Sequence, residues 1–132
     1  MQYIDIHSHL NIKPLTEDLT NIVMSLQEKE IKTITVGVDY ETSKQAILFA
    51  EHYPDVLFAT VGKHPNDNID EIFMYDKYLE QALNTKVVAI GECGLDYFRL
   101  PKELDEIEKI KNSQKQLFLE HIKLAKETNK PL

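Results

Sequence analysis

Four times in 132 residues a short run of β-branched and apolar residues gives way to a longer segment whose apolar residues recur three and four apart. Tyr3–His7, Lys32–Val38, Val56–Val61 and Lys86–Gly91 read as strands. Between and after them, helical spacing runs over Thr16–Glu30 (Leu19, Ile22, Val23, Leu26), Glu41–Tyr53 (Ala46, Ile47, Phe49, Ala50), Ile69–Leu83 (Ile72, Phe73, Leu79, Leu83) and Ser113–Thr128 (Leu117, Ile122, Leu124, Ala125). The mixed-sign stretch from Pro101 to Lys111 before the last helix reads as a solvated loop or helix start. Strands alternating with helices at this pitch are parallel and joined by right-handed crossovers.

An open doubly wound sheet and a β/α barrel both fit that pattern. A complete eight-unit barrel takes about 250 residues, and Lys130-Pro131-Leu132 after the last helix looks like the opening of a fifth strand. The expectation is therefore an α/β chain forming the first four βα units of a TIM-type (β/α)8 barrel, a truncated barrel with helices outside. Residues 1–132 are then a single partial domain. Strands one and four become open edges, to be met by a missing C-terminal half-barrel or by self-association.

Charge narrows the function. Asp and Glu number 22 against 15 Lys and Arg, a net charge of −7. Such a balance argues against nonspecific grip on nucleic acid or anionic membrane through a basic surface. It leaves open a nuclease whose positive charge comes from bound metal. No apolar run approaches the roughly 18 residues of a membrane-spanning helix. Met1–Asp5 shows neither the basic start nor the apolar stretch of a signal peptide. Cys93 is the single cysteine, so no internal disulfide forms and the expected compartment is the cytoplasm. G-x-G-x-x-G, P-loop and G-x-S-x-G motifs are absent, which removes dinucleotide, NTPase and serine-hydrolase readings.

The chemistry-bearing residues cluster where strands end, the edge at which α/β folds bind ligands. His7-Ser8-His9 closes the first strand, and residues two apart on a strand share a face. Both imidazoles can then address one ion, leaving positions for other ligands or water. A polar strand-to-helix loop is the plain alternative. Asp5 shares the parity of His7 and would lie one layer deeper, orienting it or serving as a buried structural carboxylate. Glu92 follows an apolar run between Gly91 and Gly94, where an unpaired carboxylate is costly to bury. One ion, or two bridged by its oxygens, would offset that cost; a solvent-facing loop glutamate is the alternative. His64, in Gly62-Lys63-His64-Pro65, would face the same mouth as a proton shuttle, a phosphoryl-polarising group or a support. Asp96 and Arg99 follow in the loop after Glu92, with Arg99 able to clamp a phosphate or to pair with Asp96. His52 and His121 fall in helical patterns away from strand ends and read as surface residues. Cys93 reads as a packed thiol rather than a nucleophile.

Three blocks, Asp5-Ile6-His7-Ser8-His9-Leu10, Gly62-Lys63-His64-Pro65 and Ile90-Gly91-Glu92-Cys93-Gly94-Leu95-Asp96-Tyr97, resemble in order and spacing the TatD family of metal-dependent deoxyribonucleases. That family is a group of metallo-hydrolase β/α barrels. The resemblance implies metal ligands at His7, His9 and Glu92, with Glu92 bridging two divalent ions (Mg, Mn or Zn). It implies DNA as substrate and hydrolysis by a metal-activated water; the lack of a stretched basic groove in the sequence suits short or single-stranded ends better than long duplex. It also implies two histidines after strands five and six and an aspartate after strand eight, beyond the sequence given, so that this chain alone is expected to bind metal weakly and to have negligible nuclease activity. The rival classes are a barrel metallo-hydrolase acting on an amide or ester, and an inactive half-barrel.

Overall fold

Val87-Val88-Ala89-Ile90 is the kind of sequence that pairs on both sides and packs on both faces. In the computed structural model, which describes residues 3–66 and 72–132, this run is the last of four parallel strands. The elements are β1 (Tyr3–Ser8), α1 (Leu19–Glu28), β2 (Ile31–Val36), α2 (Tyr40–His52), β3 (Leu57–Val61), α3 (Tyr75–Ala82), β4 (Val87–Ile90) and α4 (Leu104–Thr128), with a 3-10 turn at Leu15–Asp18. Among the described residues they form one sheet in the order β1-β2-β3-β4. Sequential order with a helix between each pair is the βα succession of the expected barrel class.

The core lies between the strands and the helices. Leu57, Ala59 and Val61 alternate along β3 into a cluster with Ala46 and Ala50 of α2, Tyr78 and Ala82 of α3, and Leu124 of α4. A fully buried Leu or Val contributes about 1.5–3 kcal/mol relative to exposure, so the centre of the sheet is strongly held. β1 is not. Tyr3, Ile4 and Ile6 are exposed, Ile6 at 73%, so the first strand is an edge open on both faces. At the other edge the Ile90 N–H donates to the Pro131 carbonyl at 2.9 Å, so the chain's last residues run beside β4 as the fifth-strand reading anticipated.

Several boundaries differ from the expectation. α1 stops at Glu28, because Glu30 takes a left-handed conformation (φ 55°) that turns the chain into β2. The helix expected over Ile69–Leu83 begins at Tyr75; its first residues lie partly outside the described residues, and Ile72 is exposed and non-helical. α4 begins at Leu104, nine residues before the expected Ser113. Its first turns are sparse in apolar residues, yet half-buried Ile107 and Ile110 lead into the buried stripe that begins at Gln114, and Asp105 and Glu106 suit the positive end of the helix dipole.

Candidate metal centre

His7 lies on β1 and His9 just past its end. The β1–β2 register pairs Asp5 with Thr33 and Ser8 with Thr35, so β1 carries one extra residue over this span. Ser8 is anchored toward β2: its hydroxyl donates to the Ile34 carbonyl at 3.1 Å and accepts from the Thr33 hydroxyl at 2.8 Å. The flanking imidazoles come together, with Nε2 atoms 3.2 Å apart and rings edge to face. Asp5 corrects the buried-carboxylate reading while keeping its contact with His7. It is exposed rather than buried, and its Oδ1 accepts the His7 backbone N–H at 3.1 Å, because β1 is an edge strand with no layer over it in the described residues.

Glu92 is delivered by the β4 end. The Gly91 N–H donates to the Val61 carbonyl at 2.9 Å and the Glu92 N–H to the Gly37 carbonyl at 2.7 Å, while the Thr60 hydroxyl donates to the Gly91 carbonyl at 2.7 Å. This crossing needs glycine at position 62, where a Cβ would lie 2.6 Å from the Gly91 carbonyl carbon. The glycines flanking Glu92 make no such contact. Around Gly91 a Cβ would meet nothing nearer than 3.9 Å, and Gly94 is instead required by its φ of +139°.

The Glu92 carboxylate then faces three imidazoles. Its Oε2 lies 3.4 Å from His7 Nε2 and 3.8 Å from His9 Nε2, and its Oε1 lies 3.8 Å from His64 Nε2. One ligand atom each from His7, His9 and Glu92 falls within 4.8 Å of the others. Hydrogen bonds assign the tautomers. His9 Nδ1 is 3.2 Å from the Val36 carbonyl, which can only accept, so neutral His9 carries its proton there and turns the Nε2 lone pair inward. His64 Nδ1 accepts the Asn66 N–H at 3.2 Å, which puts its proton on Nε2, toward Glu92. The ring nitrogens of His7 and His9 and the Glu92 carboxylate converge on one point and fit a cation, while His64 turns its Nε2–H toward Glu92 from 3.8 Å, beyond hydrogen-bond distance.

The other candidates scatter. Asp96 turns its carboxylate onto its own loop, accepting the Phe98 N–H at 2.9 Å, which is the first cause holding its carboxyl below the usual carboxylate range. Arg99 lines a separate groove of about 750 Å³ with Tyr75, Ser113 and Glu120. The Cys93 thiol is pushed up to about 11, first by burial and then by Glu92, and stays neutral near pH 7. His52 is exposed, as expected. His121 is not: it is fully buried, donating from Nδ1 to the Leu117 carbonyl at 2.8 Å and accepting the Lys63 N–H at 2.9 Å on Nε2.

Sequence reasoning also missed Gln114, which is buried. It accepts the Asp96 N–H and donates to the Asp96 carbonyl and to Asn66 Oδ1, tying the loop after β4 to the loop after β3. The signal was present, since Gln114, Leu117, His121, Leu124 and Ala125 form one helical stripe.

A family model described as TatD related DNase matches residues 4–132. The chain belongs to this TatD-related DNase family. It is 37% identical over 134 residues to the uncharacterized metal-dependent hydrolase YabD of Bacillus subtilis, covering 97% of this chain and 48% of the relative. It is 31% identical over 133 residues to the 3'-5' ssDNA/RNA exonuclease TatD of Pectobacterium atrosepticum, covering 97% and 47% respectively. The crystal structure of YJJV, a TatD homolog from Escherichia coli, superposes with a TM-score of 0.77 at 29% identity, over 98% of this chain and 48% of that one. The chain thus spans about half the length of these relatives, and its four βα units are of the TIM-barrel class.

Proposed function

We propose that the protein is a divalent-metal-dependent hydrolase of the TatD type that cleaves phosphodiester bonds in DNA. The observation that carries this reading is the convergence of His7 Nε2, His9 Nε2 and the Glu92 carboxylate at the carboxyl ends of the strands. His7, His9 and Glu92 would hold divalent metal. When bound, such ions lower the pKa of water and stabilise charge developing on a phosphoryl oxygen. The chain's own residues prepare that chemistry. The Val36 carbonyl fixes His9 in the ligating tautomer. His64 turns an N–H toward Glu92, where it can steady the carboxylate or pass a proton to a phosphate oxygen. The acidic net charge makes bound metal the source of electrophilic charge for a polyanionic substrate. Arg99 is the candidate clamp for a more distant phosphate, and Asp96 shapes the loop that carries it. Relatives named as ssDNA/RNA exonucleases support a single-stranded substrate.

The edges belong to the same proposal. β1 stands open, so a further half-barrel, in the same polypeptide or another, or a second copy of this chain would complete the sheet. Sedimentation at several concentrations checks this: concentration-dependent association is expected, and a monodisperse monomer that unfolds cooperatively would contradict it.

The test of function is cleavage of an end-labelled single-stranded oligonucleotide with Mg, Mn or Zn by a complete barrel containing this chain, run beside nitrophenyl ester and anilide substrates; the 132-residue chain by itself is expected to show negligible cleavage. Metal-dependent cleavage of DNA alone, lost in Glu92→Gln, supports the proposal. Turnover of the ester or anilide without DNA cleavage overturns it.

A further inference from the structure

Three consecutive backbone N–H groups leaving β3 are pinned by three different elements. The Gly62 N–H donates to the Ser43 hydroxyl of α2 at 3.2 Å. The Lys63 N–H donates to His121 Nε2 of α4 at 2.9 Å. The His64 N–H donates to the Val38 carbonyl beyond β2 at 2.8 Å. Gly62–His64 thereby holds a fixed path, and at its end His64 stands 3.8 Å from Glu92. A hydroxyl and a carbonyl do not titrate near neutrality, whereas an imidazole does.

We propose that His121 is a positioning residue for the metal centre: as a neutral imidazole it accepts the Lys63 N–H and so fixes the strand-end turn that presents His64 to Glu92. The acceptor is available only in the tautomer protonated at Nδ1, and the Leu117 carbonyl selects that tautomer. Adding a proton to Nε2 sets two donors head to head across the 2.9 Å contact and breaks the pin. Burial opposes that proton, and of the charged groups acting on the ring Lys63 opposes it too while Glu120 favours it. The Phe73 ring packs on the imidazole at 4.7 Å between centroids and offers no acceptor to replace the lost contact. The turn should therefore be held near neutral pH and released in acid, through a residue that touches neither metal nor substrate. Its consequence for metal binding rests on the reading of the site given above.

The test uses the 15N-labelled 132-residue chain as wild type, His121→Gln and His121→Phe. Gln offers an acceptor that does not titrate; Phe keeps a ring and offers none. Acidification should move the wild-type Lys63 amide resonance in step with the His121 ring nitrogens, and this transition should vanish in His121→Gln. At neutral pH, Zn2+ affinity by calorimetry should fall about 10-fold in His121→Phe, as outer-shell substitutions do, and return to near wild type in His121→Gln. A Lys63 amide that ignores His121 titration overturns the proposal, as does Zn2+ affinity equal in all three proteins. Should His121→Phe fail to fold, the wild-type and His121→Gln pH series decides alone. Should wild type bind no Zn2+, the metal reading fails while the Lys63 resonance still decides the role of His121.

Discussion

His7 and His9 stand at the end of an edge strand whose residues 3–7 are all exposed, whereas Glu92 leaves a strand end enclosed by backbone contacts from β3 and from Gly37 just past β2. The histidine side has few restraints: the Ser8–Thr33 hydroxyl contact, the Val36 carbonyl on His9 and the Asp5 carboxylate on the His7 N–H. The carboxylate side is held by Gly62, Thr60, the pinned turn to His64 and the Gln114 tie. The difference teaches that fold and binding separate across one cluster. The carboxylate is prepared as part of the core, and the histidines meet it from a strand that contributes little to stability.

Substitutions should divide along that line. Gly62→Ala has the largest expected effect, because its Cβ meets backbone at 2.6 Å and neither strand end can withdraw. We expect a loss of about 3 kcal/mol in chemical denaturation, and an unchanged midpoint would break the comparison. Gln114→Leu leaves the Asp96 N–H and the Asn66 side chain without their buried partner, at a cost of about 2 kcal/mol in the same assay. Acid comes next. His121 has a folded pKa lowered first by burial, so the unfolded chain binds more protons. Its contribution is fully present above the unfolded value near 6.5 and is lost as pH falls toward the lower folded value, with a slope no steeper than about 1.4 kcal/mol per unit. Denaturation from pH 7.5 to 5 in wild type and His121→Gln isolates this term, and equal slopes would contradict it. The smallest effect on stability belongs to His7→Ala, within about 0.5 kcal/mol at an exposed position, with His9→Ala losing about 1 kcal/mol more through its bond to the Val36 carbonyl. A larger loss would show that β1 is held by its histidines.

Periodicity made the strands and their order legible, since Val87–Ile90 and Lys32–Val36 carry the short apolar runs of buried parallel strands. It left the stretch before Ser113 open between loop and helix start because charge outnumbers apolar residues there, while the stripe through Ile107, Ile110 and Gln114 is thin. The cluster of His7, His9 and Glu92 was readable from strand-end position. Its supports were not. His121 looks like a surface histidine until the Lys63 N–H and Leu117 carbonyl are found on its two nitrogens. The buried reading of Asp5 failed because strand parity says nothing of whether a layer covers the strand. Close approaches such as Gly62 against Gly91 are tertiary facts with no local signature.

The most direct test is calorimetric titration of Zn2+ into wild type, His7→Ala, His9→Ala and Glu92→Gln at neutral pH. We expect wild type to bind and each variant to lose more than about 10-fold in affinity, with His7→Ala unfolding at the wild-type midpoint. Binding in Glu92→Gln and His7→Ala equal to wild type would show that these side chains converge without holding a metal.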